Sequence, residues 1–186
     1  MRSIYKIVVC SLLTLSITSC EKDLLEKEQY QKEIYLIGAY NRVWTTEVSY
    51  SNEEVKTYFT VSSSGTLALD RDVNVKMKIN EELVDIYNKK YWTVLNEDKY
   101  YKSLDTDLYS IPSLENTVIK HAEGISAEVP VLIKTASLKI DQSYVIPVEI
   151  ESTTGYPISE SGYKMLILLK LKNDYSGSYQ MSGIPP

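Results

Sequence analysis

Three pairs of acids, one near-complete cation-loop spacing, one histidine and a cluster of aromatic residues are the side chains in this sequence that could do chemistry. The acidic pairs are Asp70/Asp72, Asp105/Asp107 and Glu149/Glu151. Glycoside hydrolysis needs two carboxylates on either side of the scissile bond, about 5 Å apart for retention and about 6.5 to 9.5 Å for inversion. None of the three pairs belongs to an Asp-x-x-Asp-x-Asp-x-Glu pattern, and they read as acids on a solvated surface. Asp70, Asp72, Asn74 and Glu81 fall at positions 1, 3, 5 and 12 of a calcium-loop template. Position 6, which must turn tightly and so requires glycine, is Val75, and Val75 to Ile79 alternates as a strand does. His121 is the single histidine, with no second His or Cys to share a metal, and reads as a turn residue. No metal, cofactor or catalytic constellation is expected, and the chain reads as a non-enzyme.

Aromatic composition points further. There are 16 Tyr and 2 Trp against 1 Phe, so rings with a polar tip far outnumber those that want full burial. Tyr87, Tyr91, Trp92, Tyr100, Tyr101 and Tyr109 lie in a predicted helix and the long connection after it, close to Asn88, Asn96, Asp98 and Lys99. Sugar rings stack on flat aromatic faces while their hydroxyls bond to polar neighbours, so these six form the candidate carbohydrate-stacking set. The alternative is that Tyr87 and Tyr91 form the inner face of the helix and Trp92 plugs the core.

The elements that must position these residues are mainly strands. Period-two alternation places every second side chain on one face. It is visible in Val55 to Val61, where positions 55, 57, 59 and 61 are the more apolar, and complete in Val73 to Ile79. Ile125 to Ile133 and Tyr144 to Ile150 repeat it around Pro130 and Pro147, where a missing ladder donor predicts edge strands or bulges. Met165 to Leu169 is continuously apolar and predicts a strand covered on both faces. One helix of roughly three turns follows Asn80 as its cap, with Glu81 and Glu82 at its positive end, Lys89 and Lys90 in the last turn, and Leu83, Tyr87 and Tyr91 on one face. About seven strands separated by turn clusters predict an immunoglobulin-like antiparallel β-sandwich over residues 34–173.

The N-terminus carries an address. Arg2 and Lys6 precede an apolar run from Ile7 to Ile17, which suits a signal-peptide core and is too short to span a bilayer of about 30 Å. Residues 1–19 are therefore expected to be removed. Leu15-Ser16-Ile17-Thr18-Ser19-Cys20 resembles the lipobox of bacterial lipoproteins, with Ile17 where Leu is commonest, which implies lipidation of Cys20 and a membrane anchor. Removing residues 1–19 leaves 18 bases against 25 acids, a net charge of −7 that excludes nucleic acid as a partner. Cys10 leaves with the signal and Cys20 takes the lipid, so no disulfide is expected. Residues 20–33, with five acids and three bases from Glu21 to Glu33, read as a charged tether with room for a partial helix.

The order of features from Val61 onward resembles a domain of unknown function, family 1735, of Bacteroidetes lipoproteins. The resemblance rests on Val61-Ser62-Ser63-Ser64-Gly65-Thr66, Leu83-Val84, Tyr87-Asn88, Tyr109 with Ile111-Pro112, Tyr144-Val145-Ile146-Pro147-Val148 and Lys172-Asn173-Asp174-Tyr175-Ser176-Gly177-Ser178-Tyr179. It implies a β-sandwich that precedes endo-β-N-acetylglucosaminidase-type or lectin-like modules in glycan-related surface systems, and it brings no catalytic residues. Residues 174–186 would be the tail leading toward such a module. Glu21-Lys22-Asp23 resembles the acidic signals that take these lipoproteins to the outer face of the outer membrane; the periplasmic face is the alternative. The expected partners are the membrane through Cys20, a carbohydrate ligand, or a protein docked on an exposed strand or apolar face. If Cys20 carries the anchor, cells fed radiolabelled palmitate incorporate it into the chain, and Cys20→Ser abolishes the label.

Overall fold

Burial follows the alternation strand by strand. In Val73–Ile79 (β4), Val73, Val75 and Met77 are buried while Asn74, Lys76 and Lys78 face water. In Glu54–Ser63 (β3) the buried positions converge on Phe59 and Val61, and in Ser126–Lys134 (β8) on Val129, Val131 and Ile133. The computed structural model describes residues 27–92 and 94–172. The remaining elements are Ile34–Leu36 (β1), Val43–Ser49 (β2), the helix Glu82–Tyr91 (α1), Lys102–Ser103 (β5), Tyr109–Ser110 (β6), Thr117–Ile119 (β7), Tyr144–Thr153 (β9) and Lys164–Lys172 (β10).

These strands form two sheets, ordered β1-β3-β8-β6 and β2-β10-β9-β4-β7, with β5 beside β9. Their inner faces close over one core that includes Ile34, Phe59, Val75, Ile133, Ile146 and Ile167. The result is a mainly β sandwich, with one α-helix among the described residues, as expected. It departs from the expectation in two respects. β2 runs parallel to β10 from Val43 to Ser49, and β5 runs parallel to β9, so the sandwich is not antiparallel throughout. Among the described residues there are ten strands where about seven were legible, because β5, β6 and β7 have two or three residues each, and in β2 only Val48 is buried.

The prolines solve the ladder problem differently from each other. Ser63 N–H donates to the Ile125 carbonyl, so the odd-numbered residues of β8 turn their backbone groups toward β3 and Pro130 turns away. On that far side β6 reaches only Leu132 and Ile133, so Pro130 meets an open edge. Pro147 corrects the expectation, because β9 is an inner strand between β10 and β4. β4 ends its pairing at Val148 and β5 ends at Val145, so Pro147 sits where one neighbour hands over to the other. Its carbonyl still accepts from Asn80 N–H at 3.0 Å. A register shift between Lys76 and Met77 marks a bulge further along the same pair.

The end of the charged segment is tied down. Glu28 accepts from the backbone N–H of Thr66 and pairs with Lys32, and Lys32 also donates to the Leu67 carbonyl. The Lys32 ammonium, then the Thr66 amide, hold the Glu28 carboxyl down at about 2. Gly65 has φ +112, and a Cβ there would lie 2.8 Å from Lys32 Cγ, so the turn needs glycine for both conformation and space. No helix forms within residues 27–33.

Adjacent positions of β3 test which face carries the stability. Phe59 is 1% exposed and Tyr58 43%. Phe59→Ala should cost about 3–5 kcal/mol and Tyr58→Ala about 0.5 kcal/mol in chemical denaturation.

Candidate functional site

The helix is placed by its own ends. The Asn80 side chain accepts from Glu82 N–H at 3.1 Å, and the Asn80 carbonyl accepts from Leu83 N–H at 3.2 Å, so the expected cap is formed. Acids occupy the first turn and Lys89 and Lys90 the last, matching the helix dipole. The buried face is Leu83, Val84 and Asn88. Leu83 and Val84 pack on Val145 of β9 and Leu166 of β10, on the outer face of the sheet. This explains the uninterrupted apolar run: Met165, Ile167 and Leu169 serve the inner core while Leu166 meets the helix.

Asn88 fixes the aromatic cluster. Its Nδ2 donates to the Tyr101 carbonyl at 2.9 Å and its Oδ1 accepts from Tyr101 N–H at 3.0 Å, so one side chain holds both backbone groups of Tyr101. The Tyr101 ring stacks on Tyr87 at 5.2 Å and 10°, and Tyr87 lies 4.5 Å from Tyr91 at 34°. Burial, then the neighbouring Tyr101, pushes the Tyr87 phenol up from its ordinary value. Tyr91 is exposed rather than part of the inner face. Trp92 is partly buried, with the Lys99 ammonium 5.8 Å from its ring centroid and its indole N–H lacking an acceptor among the described residues. Tyr100 is half-buried next to Tyr101. Tyr109 stands apart from the other five: it lies on β6 in the opposite sheet, packed against the main core.

A groove of about 450 Å³ opens between α1, the turn at Ala39–Asn41 and the start of β10. Leu83, Met165 and Leu166 give it an apolar floor, and Tyr40, Ile86 and Tyr87 form its walls. Arg42, Glu160, Ser161 and Lys164 add polar groups. Tyr40 is 87% exposed and Ile86 54%. A smaller hollow of about 180 Å³ shares Tyr40 and Ser161 and extends to Tyr35 and Gly38. Of the six aromatic candidates, Tyr87 alone lines the groove. Tyr40, Arg42, Glu160 and Lys164 escaped sequence reasoning because two turns far apart in the chain meet only through the parallel β2–β10 pairing. The available signal was a glycine, Gly38, with φ +89 and a place so close to Trp44 that an added Cβ would lie 2.5 Å from its Cε3.

The acids are engaged elsewhere. Asp70 accepts from both Arg71 and the Tyr156 hydroxyl, and the guanidinium beside it holds its carboxyl well below the usual carboxylate range. Asp72 meets His121 Nδ1 at 2.6 Å and is lowered by that contact. Glu151 pairs with Lys76 at 2.6 Å and is likewise lowered, and Glu149 lies 3.7 Å from Lys78. A general acid needs its pKa raised, the opposite of what happens at Asp70, Asp72 and Glu151. Asp105 and Asp107 are exposed.

A family model described as a "-like, N-terminal domain" matches residues 30–157, more than half of the chain. The chain belongs to this family, of the DUF1735 type. No curated protein matches it in sequence. Solved structures similar to this DUF1735-type domain include a multidomain protein including DUF1735 from Bacteroides ovatus, 20% identical with a TM-score of 0.58 over 74% of this chain and 43% of that one. An auxiliary nutrient binding protein from Bacteroides thetaiotaomicron is 16% identical, TM-score 0.59, over 75% of this chain and 47% of its own. EndoBT-3987 with its Man5GlcNAc product, from the same species, is 20% identical, TM-score 0.53, over 74% of this chain and 30% of its own. The chain thus spans less than half the length of each of these three.

Tyr109 yields a pH test. Its hydroxyl is buried without a partner among the described residues, and burial, then Glu81, pushes its phenol up to about 12. The unfolded chain ionises near pH 10, so from about pH 10 to 12 the unfolded state binds fewer protons and stability falls as pH rises. Tyr109→Phe should leave stability at pH 7 unchanged or higher, and should flatten that alkaline fall in denaturation midpoints.

Proposed function

We propose that this domain is a glycan-binding or adhesion accessory module without catalytic activity, held at the outer membrane through a lipid on Cys20 and exposed at the cell surface. The groove beneath α1 carries the reading. It offers an exposed ring at Tyr40, a half-buried ring at Tyr87, an apolar floor and four polar side chains, the combination that binds a sugar through its faces and hydroxyls together. The similarity to an auxiliary nutrient binding protein supports it, as does the presence of the same fold in EndoBT-3987, whose chain is more than three times longer than the part matched. The lowered carboxylates at Asp70, Asp72 and Glu151 do not suit a general acid, which is in keeping with that reading.

A second reading has its own observation. In the three neighbours the fold occupies 30–47% of a longer chain, so a spacer or protein-docking role beside another module is the alternative. Isothermal titration of the full chain with host and plant oligosaccharides separates the two. The binding reading expects heat with at least one of them, weakened by about 0.5–1.5 kcal/mol in Tyr40→Ala. No heat with any saccharide, together with a stable complex in light scattering or pull-down, would favour the second.

A further inference from the structure

Building on the reading that the groove holds a saccharide, we infer that its ligand is an acidic one, a uronic-type or sialic-type sugar whose carboxylate is held by Arg42 while its ring lies against Tyr40. The two arginines among the described residues are used in opposite ways. Arg71 lays its fork on Asp70, Nε to Oδ1 and Nη2 to Oδ2, both at 2.9 Å. Arg42 lines the groove, and among the described residues no carboxylate is paired with it. The chain has 25 acids against 20 bases, so an overall shortage of acids does not explain an empty guanidinium. The planar fork matches a carboxylate with two parallel hydrogen bonds, which an ammonium cannot do.

The surroundings agree in charge. Lys164 lines the same groove, its ammonium 4.8 Å from the Tyr163 ring centroid and without a carboxylate among the described residues. Glu160 is the one acid in the lining, and no ion pair joins it to either cation, so two positive charges face one negative. Arg42 is also the single non-glycine described residue with positive φ, at 64°. Its backbone is held there from both sides: its N–H donates to Ala39 and its carbonyl accepts from Leu166 N–H, each at 2.8 Å. A flexible side chain thus starts from a fixed point at the groove mouth, next to the exposed ring of Tyr40.

The test is titration calorimetry of the full chain with two matched pairs: trigalacturonic acid against its neutral methyl ester, and sialyllactose against lactose. At least one acid should bind roughly tenfold or more tightly than its neutral partner, and added salt should weaken it. Which acid binds distinguishes a plant uronide from a sialylated source. Arg42→Asn, a residue that tolerates the left-handed conformation, should remove that preference, the acid losing more affinity than its neutral partner. If Arg42→Asn does not fold, Lys164→Gln, an alteration at a partly exposed position, should narrow the preference, and the wild-type ratio of acid to neutral binding stands without any variant. Equal binding of acid and neutral partners, or an unchanged preference in Arg42→Asn, overturns this inference and leaves the groove reading intact. No binding of any saccharide removes both.

Discussion

The structure depends on one strand being buried from two sides. β10 presents Met165, Ile167 and Leu169 to the sandwich core and Leu166 to the helix, while pairing antiparallel with β9 and parallel with β2. An apolar face left open on a sheet costs free energy in proportion to its area, so Leu166 and Val145 require a cover. The helix supplies it with Leu83 and Val84, and the Asn88 side chain then fastens the following segment by holding Tyr101. The aromatic cluster is a consequence of that fastening.

The same docking creates the groove. A helix is rounder than the sheet it covers, so a hollow remains where its first turns meet the start of β10 and the turn at Ala39–Asn41. Several cations elsewhere on the surface are paired: Lys76 with Glu151, Lys170 and Lys172 with Glu47, and Lys120 with Glu123. Such exposed pairs add little to stability, whereas in the groove Arg42 and Lys164 outnumber the one acid, Glu160, and neither is paired with it. Position and charge therefore coincide there, which is what recognition of a polar ligand needs.

Much of the fold was legible because alternation is local. Val73 to Ile79, Ala127 to Ile133 and Tyr144 to Ile150 each declare a buried face within a single strand, although Ile125 lies outside β8 and is exposed, and Asn80 with its following acids declares a helix start. β2 was not legible, since Val48 alone is buried and its parallel partner lies more than 100 residues away. Pro147 misled for a related reason: a missing donor is harmless inside a sheet where β4 stops and β5 begins, and that handover is a tertiary fact. The candidate site was half legible. Tyr87, Tyr91 and Tyr101 do gather, yet Tyr109 belongs to the opposite sheet, and Tyr40 and Arg42 come from a turn whose meaning depends on the parallel pairing.

Native-state hydrogen exchange reads the double burial of β10 directly. The amides of Met165 to Leu169 and of Val145, Ile146 and Val148 should be the slowest in the chain, exchanging only when the whole domain unfolds, with those of α1 somewhat faster. Exchange of Met165 to Leu169 at the rate of the exposed turns, with the rest of the sandwich still protected, would contradict the account.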